Sequence, residues 1–266
     1  MVCFKEKHVL ITGASSGIGY EFVNLFAKDG ANLVITSRNE RKLINIKNMI
    51  EKEYNVKVFT ISKDLVRTES PEEIYEQLKK ENISIDILVN NAGFGYHGDF
   101  SDTDLGRQID MIQVNILSLV KLTRLLLPSM IEKGYGKILN VASMAGFQGI
   151  PHHNIYSATK AFVLIFSESI AREFEDKGIA VTCLCPGPTD TNFFETAGMK
   201  SMGFKKFGLM SARKVAKVGF NALKKNKTIA IPGWKNKFVV FLERFIPRIV
   251  ITKLAGKLHK GQHKVY

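Results

Sequence analysis

Three glycines sit between a short apolar run at residues 7–12 and an amphipathic run at residues 20–28, in Gly13-Ala14-Ser15-Ser16-Gly17-Ile18-Gly19. No other stretch limits the fold as much. The first run reads as a buried strand and the second has the period of a helix, so the glycines must carry the chain from one directly into the other. Glycine accepts the backbone angles of a sharp turn and lets another group come close to the main chain. A helix starting there presents unbonded N–H groups and a partial positive charge, and an anion such as a pyrophosphate satisfies both. Strand, glycine turn and helix form the first half of a dinucleotide-binding unit. The spacing is Gly-x-x-x-Gly-x-Gly rather than the commoner Gly-x-Gly-x-x-Gly. Gly30 suits the stop of that helix.

The same alternation continues down the chain. Strands are read at residues 32–36, 56–61, 83–89, 136–142, 179–185 and 228–231. Helices are read at 40–52, 71–80, 103–129 and 211–225, with a further one through residues 154–162. Strands separated by helices of this length require a parallel sheet covered on both faces, with ligands at the strand C-termini. The expectation is a single-domain, doubly wound α/β Rossmann fold with a central parallel sheet of about seven strands. It occupies residues 1–232 and leaves 233–266 as a C-terminal extension.

The end of the second strand bears on the cofactor. A site for NAD places Asp or Glu there to accept from the ribose hydroxyls. This chain has Ser37-Arg38-Asn39. A carboxylate would repel a 2′-phosphate, whereas the guanidinium of Arg38 can hold one, with the hydroxyl of Ser15 beside it. The cofactor read here is therefore NADP. The bland alternative leaves Arg38 on a solvated loop, with Glu40 in the acidic role.

Acid–base chemistry is read from Asn154-Ile155-Tyr156-Ser157-Ala158-Thr159-Lys160. On a helix, Tyr156 and Lys160 share one face, a turn apart. A free phenol titrates near pH ~10, and a nearby cation lowers that value toward neutrality. The expectation is that Lys160 lowers the pKa of Tyr156, so that the pair can give and take a proton. Taken alone, such a pair is more often a surface lysine beside a half-buried tyrosine. Two further polar groups stand where apolar residues would be usual. Asn115 lies inside a long apolar helix, and Ser143 closes the fifth strand.

Taken together, Thr12 with the glycine turn, Asp64, Asn90-Asn91-Ala92-Gly93, Asn115, Ser143, Tyr156 with Lys160, and Pro186-Gly187 resemble the short-chain dehydrogenase/reductase family in order and separation. The resemblance covers roughly residues 5–232. It implies an oxidoreductase that interconverts a carbonyl and an alcohol by hydride transfer. Tyr156 would be the acid or base, and Lys160 would also hold the nicotinamide ribose. Ser143 would steady the substrate oxygen, and Asn115 would anchor a water linking Lys160 to solvent. Residues 13–19, 91–93, 186 and 187 would line the cofactor, with Asp64 and Leu65 beside the adenine and Thr189 and Thr191 facing the carboxamide. The substrate lid falls at about 190–210, a stretch rich in Phe, Met and Gly, which suits a lipophilic ketone or aldehyde. Phe94, Phe147, His152 and His153 are candidates for the same cleft, or ordinary packing. The family habit also implies a homodimer or homotetramer through the helices holding Asn115 and Tyr156.

Charge needs its own account. Lys and Arg total 38 against 25 acids, a net charge of +13. From Lys235 onward there are eight Lys/Arg and one acid, Glu243, so much of the excess lies in the extension. Apolar clusters there are broken by Glu243, Arg244, Pro247 and Arg248. It reads as an amphipathic helix pair that rests on an anionic membrane through 234–264, as a flap, or as an oligomer contact. No apolar run in the chain reads as long enough to span a bilayer, and no leader is read at the N-terminus. No helix-turn-helix or zinc motif supports a nucleic-acid partner. The cysteines are Cys3, Cys183 and Cys185, read as reduced thiols of a cytoplasmic protein, and no His/Cys spacing suggests a metal. The alternatives weighed are an NADP(H)-binding sensor acting through the basic tail and a sugar-nucleotide epimerase, whose glycine spacing usually differs.

Overall fold

In the computed structural model, which describes residues 3–198 and 208–259, strand β1 (His8–Thr12) runs through the glycine turn into α1 (Gly17–Lys28). Then follow β2 (Asn32–Ser37), α2 (Glu40–Glu53), β3 (Val58–Ser62), α3 (Ser70–Lys80) and β4 (Ile87–Asn90). A long helical rod comes next, α4 (Leu105–Ile112) and α5 (Ser118–Glu132), joined by a π-helical turn at Gln113–Leu117. Strand β5 (Gly136–Val141), helix α6 (Asn154–Glu173) and strand β6 (Ile179–Leu184) complete the second half. A short ladder of β7 (Thr189–Asp190) and β8 (Met210–Ser211) flanks α7 (Phe193–Thr196). Helix α8 (Ala212–Lys224), β9 (Ile229–Ala230), α9 (Trp234–Leu242) and α10 (Arg248–His259) follow.

The seven-stranded parallel sheet is present, in the order β3-β2-β1-β4-β5-β6-β9. Successive side chains of a strand face opposite sides. Val9 and Ile11 accordingly join the core under α1, α2 and α8, while Leu10 joins the core under α3, α5 and α6. The strand order reverses between β1 and β4, the place where such sheets open a crevice for a ligand. The turns after these two strands, residues 13–19 and 91–93, meet there.

Several boundaries differ from the sequence reading. Strand β4 starts at Ile87, because the N–H of Ile83 bonds back to Leu78 O at 2.9 Å and closes α3, which leaves 83–86 as a linker. The long helix starts two residues late, at Leu105, because the Asp104 carboxylate accepts from Arg107 N at 2.7 Å and caps it there. Within the span Leu105–Glu132 an 18-residue window has a mean hydropathy of 1.5, so by length and composition the helix is long and apolar enough to cross a membrane, although Arg107, Asp110, Lys121 and Arg124 interrupt it. Leu122, Leu126 and Met130 spend the apolar face against the sheet, so here it is a core helix.

Candidate active site

The glycine turn is fixed from beneath by Thr12 and Asn91. Thr12 Oγ1 accepts from Asn91 N at 3.0 Å and Ala92 N at 2.9 Å, and Asn91 Nδ2 donates to Thr12 O at 2.9 Å and Gly13 O at 3.2 Å. A Cβ added at Gly19 would lie 2.2 Å from Gly13 O, so no other residue fits that position without opening the turn. Gly17 has a φ of +55° and Thr191 Cγ2 lies over it, 3.1 Å from where a Cβ would be. Ser16, which precedes α1, makes no side-chain capping bond, so the first N–H groups of the helix face the turn. A groove beside the turn is lined by Ser15, Ser16, Tyr20, Lys42, Asn45 and Ile46. A closely approached backbone, helix N–H groups and a cation beside the turn suit a dinucleotide pyrophosphate and its adenosine.

The other predicted cofactor residues stand at the same edge. Arg38 is exposed at the end of β2, and its carbonyl accepts from Ser62 Oγ at 3.4 Å. Asp64 Oδ1 accepts from Val66 N at 3.1 Å, so this carboxylate organises its own turn. Leu65 is buried in the core, and its carbonyl accepts from Ser118 Oγ at 2.9 Å. Thr189 Oγ1 donates to Gly187 O at 2.9 Å, and Thr191 Oγ1 accepts from Phe193 N at 3.2 Å. Pro186 O accepts from Met144 N at 2.9 Å and from Ser143 Oγ at 3.4 Å, which ties the loop after β6 to the loop after β5.

Helix α6 brings Tyr156 and Lys160 under this edge. Tyr156 is 8% exposed and Lys160 is 5% exposed. The ring of Tyr156 packs with Met111, Ala145, Ile150 and Ala255, meets His153 edge-on at 4.5 Å and lies 5.2 Å from Phe193. Ser143 faces its hydroxyl and favours the ionised form. Lys160 Nζ donates to Val141 O at 2.8 Å and stands 5.8 Å from the Tyr156 ring centroid. The π-helical turn presents Asn115 inward. Its Oδ1 accepts from Phe94 N at 3.1 Å, and its Nδ2 donates to Phe94 O and to Thr159 Oγ1, both at 3.0 Å. Gly93 fits between: a Cβ there would lie 2.9 Å from Asn115 Oδ1 and 3.3 Å from Lys160 Nζ. Asn115, Ser143, Tyr156 and Lys160 are thus brought together.

Electrostatics correct one expectation. Burial pushes the Tyr156 pKa up to about 12, with Ser143 pulling the other way, and burial pulls Lys160 down to about 8. Lys160 does not lower the phenol. Desolvation disfavours the charged form of each group, and the ammonium is spent on the Val141 carbonyl.

Sequence reasoning missed several supporting groups. Thr159 and Lys42 are seen only once the chain is folded around them. A buried polar chain also escaped it: Asn90 Nδ2 donates to Thr123 Oγ1 at 3.1 Å and Asn140 Oδ1 at 2.9 Å, and Asn140 Nδ2 donates to Ser167 Oγ at 2.9 Å. This chain joins α5, β4, β5 and α6, the elements that carry the site. Of the lid, Phe193 and Phe194 are placed, the latter packed with Ala197, whose carbonyl accepts from His97 N at 3.1 Å. Residues 199–207 of the predicted lid lie outside the described residues.

Comparison with known proteins agrees with this geometry. The short chain dehydrogenase family model matches residues 7–201. The ketoacyl reductase HetN of Nostoc sp. is 32% identical over 231 residues, covering 87% of this chain and 79% of that protein. The very-long-chain 3-oxoacyl-CoA reductase of Rattus norvegicus is 38% identical over 183 residues, 66% of this chain, and the match spans only 57% of that relative's length. Among solved structures, a short-chain dehydrogenase from Sphingobium yanoikuyae in complex with NADPH superposes with a TM-score of 0.81 at 28% identity, covering 90% of this chain and 93% of that one.

Proposed function

Because this chain belongs to the short-chain dehydrogenase family, whose members are oxidoreductases, we propose that it uses NADP(H) to interconvert a lipophilic ketone or aldehyde and its alcohol. The observation that carries the reading is the buried Tyr156 side chain, with Ser143, Lys160 and Asn115 gathered around it at the C-terminal edge of the sheet and the glycine turn on the same edge. The bound nicotinamide supplies or accepts the hydride. In reduction, Ser143 holds the substrate oxygen and Tyr156 gives it a proton as negative charge develops. Tyr156 carries the proton for that direction at neutral pH, as any phenol does, and burial raises its pKa further. Lys160 and Asn115 line the region under Gly93 through which a proton can return.

The preference for NADP rests on Arg38, Ser15 and Lys42, two cations and a hydroxyl at the adenosine side of the turn, with no carboxylate among the groove-lining residues. The NADPH bound to the Sphingobium neighbour supports it. The lipophilic substrate is inferred from Phe193, Met111 and Ile150 beside Tyr156 and from the acyl substrates named for the relatives. A homodimer through the exposed Leu105, Ile109, Leu117 and Ile165 of the α4–α5 rod and α6 fits the same family habit, and a double Ile109→Asp, Ile165→Asp change should give a monomer in light scattering. Buried thiols at Cys183 and Cys185, 3.7 Å apart and unlinked, fit a cytoplasmic, reducing location.

The test follows NADPH and NADH oxidation over a panel of carbonyl compounds. Turnover on NADPH with lipophilic ketones, lost in Tyr156→Phe while NADPH binding is retained, is the expected result. Arg38→Asp should shift the preference toward NADH. Tight NADPH binding without turnover on any compound would instead favour a sensor that acts through the basic extension.

A further inference from the structure

The extension after β9 is two-sided, and the proposed reaction uses only its inner side. Inward, α9 buries Val240 and α10 buries Ile251 and Ala255. Ala255 packs in the cluster that holds Tyr156 and Ile150, and Pro151 lies 3.0 Å from where a Cβ on Gly256 would sit. Asn236 of α9 backs Gly187, its Nδ2 2.7 Å from where a Cβ there would sit. The pair therefore covers the loops after β5 and β6, at the Tyr156 end of the site.

The outer side is different. Trp234, Phe238 and Phe241 recur at intervals of four and three along one face of α9, and Phe245, in the turn that follows, meets the Phe241 ring edge-on at 5.2 Å. Trp234 is 74% exposed and Phe245 is 70% exposed, and Ile249 and Leu254 continue the apolar surface along α10. Lys235, Lys237, Lys253 and Lys257 stand exposed among them, while Arg244 and Arg248 line the groove between the extension and Phe147–Gly149. The one acid, Glu243, is turned inward, where the Gln148 amide nitrogen donates to its Oε2 at 2.8 Å.

We propose that this outer face docks on an anionic phospholipid surface, with the aromatic and aliphatic side chains at the acyl boundary and the Lys side chains among the headgroups. Charge decides the occupant. A second copy of this chain would bring these four lysines against four lysines, with no carboxylate of the described extension on that face to pair them, and interface cores are normally depleted of charge. An anionic bilayer offers hydrocarbon and negative charge in the same layered arrangement. Docking would place the Tyr156 cleft beside the membrane. That consequence rests on the lipophilic-substrate reading above, whereas the docking itself does not.

The experiment is flotation of the full chain with vesicles of phosphatidylcholine alone and of phosphatidylcholine mixed with phosphatidylglycerol, without substrate or cofactor. The expected result is binding to the mixed vesicles that weakens as salt is raised. Lys253→Gln with Lys257→Gln should weaken it roughly twenty-five-fold, taking about fivefold for each basic residue at such a surface. Phe245→Ser with Ile249→Ser should abolish it. All four positions are exposed, and an unchanged melting temperature and NADPH titration would show that the variants are folded. A wild type that does not float with mixed vesicles would overturn the proposal. So would binding to phosphatidylcholine alone that is equally tight and indifferent to the lysine changes. A wild-type dimer that Phe245→Ser dissociates, with no flotation, would assign the face to a second copy instead. Failure of the redox reading would show in the carbonyl panel and leave flotation untouched.

Discussion

Replacing Lys160 by Met should abolish turnover and yet stabilise the fold. Burial holds the Lys160 pKa near 8, against an ordinary 10.5. At 1.36 kcal/mol per pK unit, that drop is a destabilisation of about 3 kcal/mol whenever the ammonium is charged. Met fills a similar volume without charge. It also leaves Val141 O without its 2.8 Å donor, which returns about 1–2 kcal/mol, so the net gain at pH 7 is about 1–2 kcal/mol. The pH dependence is the sharper test. Below pH 8 the lysine is charged in both folded and unfolded chains and the destabilisation is full. As pH rises from 8 to 10.5 the folded lysine is neutral while the unfolded one is still losing its proton, and the effect fades. The stability of the Met variant relative to wild type should therefore fall by about 3 kcal/mol between pH 7 and pH 10.5. Urea unfolding of both proteins at the two pH values reads this directly, since groups titrating alike in both cancel. A gap that does not change with pH, or a wild type that is the more stable at pH 7, would refute the assignment of a depressed Lys160.

Gly19→Ala should lower NADPH affinity at least tenfold in a fluorescence titration, because its Cβ would sit 2.2 Å from Gly13 O and 2.5 Å from Asn91 Nδ2; unchanged affinity would count against the glycine turn as the pyrophosphate site. Asn115→Ala leaves the Phe94 N–H and C=O without their partner and takes one of two bonds from the Thr159 hydroxyl, a loss of about 2–4 kcal/mol that a thermal melt should report as a drop of about 5–10 °C. Burial raises the Glu243 pKa to about 7 from 4.5, so its ionisation opposes folding only as pH climbs through that window. Glu243→Gln should accordingly match wild type in melting temperature at pH 4.5 and exceed it at pH 8. With Tyr156 raised to about 12, alcohol oxidation, which needs the phenolate, should climb with pH across the alkaline range, while carbonyl reduction stays flat from pH 6 to 8; parallel profiles would remove Tyr156 as the group that titrates.

What the sequence made legible has a physical basis. Glycines at 13, 17 and 19 have no substitute in the turn, so their spacing alone announces it, and helix–strand alternation leaves little freedom in sheet topology. Asn115 could be singled out because a buried amide inside an apolar helix demands partners. The partners themselves could not be read. Phe94 lies 21 residues away and Thr159 lies 44 away, and nothing in their neighbourhoods signals a hydrogen bond to Asn115. The π-helical turn that aims Asn115 inward is equally silent, since Gln-Val-Asn-Ile-Leu has the pattern of an ordinary helix. Strand β4 was read too long because Ile83 and Ile85 alternate as strand residues do, yet the first of them closes a helix.

The misjudged Tyr156 pKa shows where local reasoning stops. A spacing of four residues places a cation near a phenol, but a pKa is set by everything that excludes water from both. Those groups come from distant parts of the chain: Met111 from the rod, Phe193 from the lid helix and Ala255 from α10. Burial of Tyr156 therefore draws on the extension as well as on the catalytic helix. The side of α10 that joins the Tyr156 cluster is the reverse of the apolar and basic face turned outward, so whatever engages that face acts on an element packed into the site.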